Sequence, residues 1–170
     1  MTATVLTVNQ PYAGLILRAI KWTEIRTQRK SYTGDLYIHA NKWADDAAWW
    51  KANYPAVHIE WELGLLGKVQ MLGCVSGPAL ESFANGEDMT EHEIDLVTMS
   101  YLTQLRDLHT AHDPNGNIYE DAGFGEREFN FLLSDPEMFD APIPAKGKLG
   151  LWKMEIDQTT RPLRDLVQTV

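Results

Sequence analysis

Pro11 and the apolar positions behind it constrain this chain most. Tyr12, Leu15, Ile16, Ala19 and Ile20 recur at i, i+3, i+4, i+7 and i+8, a period that lines one face of a helix. A proline is tolerated in the first turn, where its missing N–H has no intrahelical acceptor, and Asn9 or Gln10 stands where a cap is needed. The spacing predicts a helix over 12–20, with Arg18 and Lys21 at its polar edge. Residues 4–8 ahead of it read as a short strand. Behind it, the β-branched and aromatic residues up to Arg26, and the alternation of 36–40 after the Gly34-Asp35 turn signal, predict two more strands.

The same stretch is basic in an acidic protein. Residues 18–30 hold Arg18, Lys21, Arg26, Arg29 and Lys30 against the single acid Glu24, in a chain of formal charge -9. Divided along the 170 residues, the charge is +3 over 1–51, -14 over 52–140 and +2 over 141–170. A surface that acidic repels a long phosphate backbone, so extended duplex DNA is disfavoured and a small or local anionic guest fits better.

The remaining elements are mostly short strands with helices inserted between them. Trp43, Ala47, Trp50 and Tyr54 share a helical face that Pro55 closes, and 65–75 is apolar enough for a central strand. Gly67 and Gly73 within it point to a bulge or a close backbone approach. Thr90 and Glu93 have capping-box spacing before a helix whose buried stripe is Ile94, Val97, Tyr101, Leu105 and Leu108. A loop at 113–116 follows. Strands are expected at 128–133 and 148–156, separated by the turn-rich Asp135-Pro136 and Pro142-Ile143-Pro144. This order argues for an α+β fold. No apolar run approaches the ~20 residues of a membrane span. The N-terminus lacks the pattern of a signal peptide and Cys74 has no partner for an internal disulfide, which together predict a cytoplasmic protein.

Gln10-Pro11-Tyr12-Ala13 with Leu15-Ile16, then Lys21, Glu24 and Arg26, resembles the opening of an ASCH domain, a branch of the PUA-like superfamily. Pro142-Ile143-Pro144, Gly147, Gly150, Leu151 and Trp152 resemble its closing strand. The resemblance implies a PUA-like curved, mostly antiparallel β-barrel with flanking helices, spanning 1–157. An acidic helical insert falls around 81–119 and a tail at 158–170. It also implies a cleft beside the first helix that binds a nucleoside, a modified base or a short single strand of RNA. One small bacterial branch removes the acyl group from acetylated cytidine, so an amidohydrolase is the second reading. A protein-interaction adaptor working through the acidic helix is the third.

For the binding reading the candidates are Gln10, Tyr12, Lys21, Trp22, Glu24, Arg26 and Phe124. Lys21 at the helix end can meet phosphate as a point charge, although a lysine there also simply complements the helix dipole. Glu24 and Arg26, two apart in a strand, share a face and form either an ion pair or a reader of polar groups. Tyr12 and Trp22 are candidate stacking faces, Trp22 being read as the more exposed, whereas Trp152 is expected in the core. Phe124, in the loop Gly123-Phe124-Gly125-Glu126-Arg127, either covers the cleft or turns into the next strand. For the hydrolase reading, Lys21, Glu24 and Glu87 handle protons. Glu24 stands where that branch has a threonine, and Thr23 faces the other side. No cofactor is expected, and no metal: His39, His58, His92, His109 and His112 lack cysteine partners.

Overall fold

The first strand is buried on both of its faces, and the rest of the sheet is arranged around it. The computed structural model describes residues 1–19, 21–43, 48, 62–85, 90–108 and 124–157. In strand β1 (Thr2–Gln10), Leu6 and Val8 pack into the main core while Ala3 and Val5 join a second cluster on the opposite face. The chain continues through helix α1 (Tyr12–Leu17), β2 (Thr23–Arg26), β3 (Gly34–Trp43) and β4 (Gly64–Ser76). Helices α2 (Gly77–Ala84) and α3 (Glu91–Leu108) follow, then β5 (Phe129–Ile143) and β6 (Leu151–Glu155).

The six strands form one mixed sheet in the order β2-β5-β4-β3-β1-β6, with β1 and β3 parallel and the other neighbours antiparallel. The architecture is α+β and mostly antiparallel, as expected. The closed barrel is not: among the described residues no backbone ladder joins the edge strands β2 and β6. The sheet is nevertheless tightly curled. Three strands separate β2 from β1, so a flat sheet would hold them ~19 Å apart. Yet Arg26 of β2 donates from Nη2 to the Thr7 carbonyl of β1 at 2.8 Å. The interior of the curl is filled by Leu36 and Ile38 of β3, Val69 and Met71 of β4, Phe131 and Leu133 of β5, and Ala13, Ile16 and Leu17 of α1. Each fully buried Leu or Ile contributes about 1.5–3 kcal/mol.

Helix α1 is shorter than its periodicity predicts. Ala19 adopts a left-handed φ of 58°, its N–H donates to the Ile16 carbonyl at 3.1 Å, and the Lys21 N–H reaches back to the Leu15 carbonyl at 3.1 Å. This turn aims the chain into β2. Pro11 itself occupies the N-cap position, and the capping oxygen comes from the Gln10 side chain, whose Oε1 accepts the Gly14 N–H at 3.0 Å.

Several expectations are corrected. Trp43 ends β3, paired with Gln10, rather than opening a helix, and most of 44–54 lies outside the described residues. Asp135-Pro136 does not end a strand; β5 runs on to Ile143 through register shifts, with Asp135 at φ 47°, because bulges absorb the irregular residues. Helix α2 is not marked by periodicity. Its signal is Pro78 in the first turn and Ser76, whose Oγ accepts the Ala79 N–H at 3.4 Å. In α3 the capping box forms, with the Glu93 N–H donating to Thr90 Oγ1 and the Thr90 N–H to Glu93 Oε2, each at 3.3 Å. Val97 is buried and Leu96 packs beside it, but Ile94 is 40% exposed, so the buried stripe is rotated by about one residue. The side chains of Tyr101, Leu105 and Leu108, the loop at 113–116 and the tail lie outside what is described. Trp152 is half-buried rather than wholly internal, its indole N–H donating to Thr7 Oγ1 at 3.1 Å.

Gly67 and Gly73 mark close approaches. A Cβ on Gly67 would overlap the Glu137 carbonyl oxygen and lie 3.0 Å from Met138 Cα, and one on Gly73 would lie 2.8 Å from a Leu96 methyl. Gly67→Ala forces two backbones apart and is expected to lower unfolding free energy by about 2–4 kcal/mol in urea titrations. Gly73→Ala meets only the end of a side chain and should cost less.

Candidate functional site

Strand β2 sorts its side chains by alternation. Glu24 pairs with Phe131 of the main core, whereas Thr23 pairs with Leu132, which packs with Leu80 of α2 and Val97 of α3. Cross-strand partners share a face, so Glu24 and Arg26 point into the curl and Thr23 points away from it. The ion pair, one of the two arrangements read from the spacing, is present: Arg26 Nη2 lies 2.8 Å from Glu24 Oε1.

That same nitrogen donates to Thr7 at the place where β1 loses its other neighbour. Strand β6 accompanies β1 only as far as the Leu6–Leu151 pair, and Thr7 is the next residue. A guanidinium therefore takes over where the backbone ladder stops. Its Nε is buried without a hydrogen-bond partner among the described residues. Lys21 and Glu24 are only 4% and 8% exposed, and Lys21 Nζ stands 5.8 Å from the centre of the Tyr12 ring, which packs half-buried against the core. Two cations, one carboxylate and an aromatic ring thus line the seam between β1 and β2.

Glu24, Phe131 and Cys74 form a continuous row across β2, β5 and β4. Burial pushes the Cys74 thiol above its ordinary pKa, against the opposing influence of a Lys30 backbone hydrogen bond and the Arg29 charge. The connection from β2 to β3, with Arg29 and Lys30, therefore lies over this row.

The remaining candidates divide. Gln10 has no exposed surface, and both ends of its amide are engaged by the backbone: Oε1 with Gly14 and Nε2 with the Glu62 carbonyl at 2.8 Å. It positions α1 rather than offering a free edge. Trp22 corrects the expectation of an exposed stacking face. It is 1% exposed and sits in the cluster with Val75, Leu80, Val97 and Leu132, because helices from far along the chain cover it. Phe124 is 37% exposed, and its loop is tied down at the Arg26 end of β2. The Gly125 N–H donates to the Glu128 carboxylate at 2.9 Å and the Gly77 N–H to the Glu128 carbonyl at 2.8 Å, while the next residue, Phe129, pairs with Arg26. Glu87, His109 and His112 lie outside the described residues. Among those residues no cluster could hold a metal ion, and no helix is long and apolar enough to cross a membrane. Sequence reasoning missed the Thr7 carbonyl, which carries no side-chain signal, and Phe131, which the alternation of 129–133 does mark.

A family model described as "ASCH domain" matches residues 6–112, a span that contains α1, β2 and all of Lys21, Glu24 and Arg26. The segment at 142–152 lies beyond it. Among solved structures, the chain is similar to the crystal structure of a point mutant of ZmASCH from Zymomonas mobilis, at 14% identity over 83% of this chain and 74% of that one, with a TM-score of 0.41.

Arg26→Met leaves Glu24 buried beside an apolar stem and frees the Thr7 carbonyl. It is expected to destabilise the protein by about 1.5–3 kcal/mol, and a double-mutant cycle with Glu24→Gln should return a coupling of about 0.5–3 kcal/mol in urea unfolding. Cys74 should react with a thiol reagent at pH 8 at least about tenfold more slowly than a small free thiol, and lose that protection in denaturant.

Proposed function

The chain belongs to the ASCH-domain family, of the PUA-like superfamily associated with RNA, and from that premise we propose that the β1–β2 seam binds a nucleoside, a modified base or a short single strand of RNA. The observation that carries this reading is the constellation of buried Lys21 and Glu24 with half-buried Arg26 beside Tyr12. Replacing buried ion pairs by apolar residues of similar volume is often neutral or stabilising, so stability alone gives little reason to keep one. A nucleobase edge presents carbonyl acceptors beside N–H donors. Lys21 and Arg26 meet the former and Glu24 the latter. The unpartnered Nε of Arg26 supplies a further donor, and a buried donor without an acceptor invites one. Tyr12 supplies the stacking face, and Phe124 stands in a loop tethered near the Arg26 end of β2.

The curved, barrel-like frame that this reading needs is supplied by the curl rather than by a closed ladder. A second reading, removal of an acyl group from acetylated cytidine, draws on the burial of Lys21 and Glu24; it calls on Glu87 as well. The third, an adaptor face on α3, draws on the exposure of Ile94 and Met99 along an acidic helix.

A thermal-shift screen against natural and modified nucleosides, nucleotides and short RNAs separates these readings. A ligand at 100 times its dissociation constant adds about 2.7 kcal/mol, which raises Tm by roughly 5–11 °C for a chain of this size. Hits are expected to vanish in Lys21→Ala and Glu24→Gln. Acetate release from acetylated cytidine would move the weight to the hydrolase. Millimolar ligands that shift nothing would sink the binding reading and leave α3 as bait for a protein partner.

A further inference from the structure

The polar seam continues past Arg26. Thr4 and Thr7 are three residues apart on β1, ~10 Å along the strand. At Thr7 stands Arg26; at Thr4 stands Lys153 of β6, its cross-strand partner, with Nζ donating to Thr4 Oγ1 at 2.6 Å. The same Nζ lies 5.9 Å from the centre of the Tyr32 ring. Tyr32 is held in place by its hydroxyl, which donates to the Asp35 carbonyl at 2.6 Å, and by packing of its ring against the main core. The β2–β3 connection leads along the chain from Arg26 to Tyr32 and carries Arg29 and Lys30, the Lys30 backbone and the Arg29 charge acting on Cys74 of β4.

We propose that Arg29, Lys30, Lys153 and Tyr32 form an anionic subsite that holds a phosphate group belonging to the ligand whose base occupies Lys21, Glu24 and Arg26. The inference rests on that base-site reading and adds the class of ligand: one that extends beyond a single base ring and carries negative charge. Three observations lead to it. First, residues 25–34 contain no acid, and the next carboxylate, Asp35, is already engaged by Lys68 at 3.3 Å and by Gln70. Arg29 and Lys30 are therefore not neutralised by a neighbour in sequence, in a protein whose overall charge is -9. Such a patch focuses a positive field on the mouth of the curl. Second, Lys153 is exposed yet held at a defined place, and its hydrogen bond to Thr4 uses one of three N–H groups. Tying β6 to β1 requires no charge, since a hydroxyl oxygen accepts from any donor. Third, a ring beside an exposed ammonium offers a phosphate its cation and an adjoining base or sugar an apolar face.

The phosphate has two chemical sources, the terminal group of a mononucleotide and the diester of a strand. Calorimetric titration of the full chain separates them, using an equimolar pool of the four ribonucleosides, the pool of their 5′-monophosphates, and random ribotrinucleotides lacking terminal phosphates, at several salt concentrations. Phosphate-bearing pools are expected to bind at least ~10-fold more tightly than nucleosides, with an affinity that falls as salt rises. In the double variant Arg29→Gln, Lys153→Met that gain should fall at least ~5-fold and the logarithmic salt slope should shrink by roughly 1–2. Both positions are exposed, so an unchanged melting curve checks the fold. Gain with monophosphates alone assigns the terminal group, and gain with trinucleotides assigns the strand; either supports the subsite. Nucleosides that bind as well as both phosphate pools, or a gain and slope untouched in the variant, would overturn it while the base site stands. Failure of all three pools to bind would overturn the base site and this inference together.

Discussion

One guanidinium determines how this sheet is shaped. A curled sheet whose edges do not meet has two rows of unpaired backbone groups and nothing in its ladder to set how far it curls. Arg26 supplies the missing constraint: from the tip of β2 it grips the Thr7 carbonyl just past the last residue that β6 covers, and Glu24 holds the gripping nitrogen from the other side. A lysine could satisfy one of these partners as a point charge, but a planar fork that aims several N–H groups at once suits both. The distance between β1 and β2, and with it the width of the seam, follows from the length of one side chain.

The same arrangement explains why the charged residues of the seam are buried. Glu24 and Arg26 are drawn inward because the strand alternates and its inner face looks at Phe131, while Lys21, ahead of the strand, is buried beside the Tyr12 ring. Charges in such a place are costly unless paired, and here the partners are one another, the Thr7 carbonyl and the ring of Tyr12. The interior end of the seam is tightly paired, whereas the outer end, at Lys153, is open to water.

What can be read from the sequence is what depends on near neighbours. The period of Leu15 and Ile16, the Thr90–Glu93 box and the shared face of Glu24 and Arg26 all act over a few residues, and all appear as read. What escapes depends on distant ones. Trp22 looks exposed beside Lys21, but its cover comes from Leu80 and Val97, some sixty and seventy-five positions later. Ile94 looks buried because its period is helical, yet the face that meets the sheet is set by Leu96 and Val97 against β4 and β5. Asp135-Pro136 looks like a stop because a proline breaks regular pairing, but a long strand with bulges carries it without ending. The second partner of Arg26, the Thr7 carbonyl, cannot be read at all, since a main-chain carbonyl has no letter of its own.

The pairing of β1 with both β3 and β6 bears on how the chain acquires its shape in time. One side of β1 finds its partner some thirty residues downstream, whereas the other waits for residues 151–155, with Thr2 opposite Glu155. During synthesis from the N-terminus, the strand buried most completely in the finished fold keeps an open apolar edge until almost all of the described chain exists. Pairings so distant in sequence form slowly. An unpaired apolar edge left waiting for them is a template for another copy of the same strand. The yield of folded protein should therefore depend on concentration and on the rate at which the last strand arrives, more than on the stability of the sheet once complete.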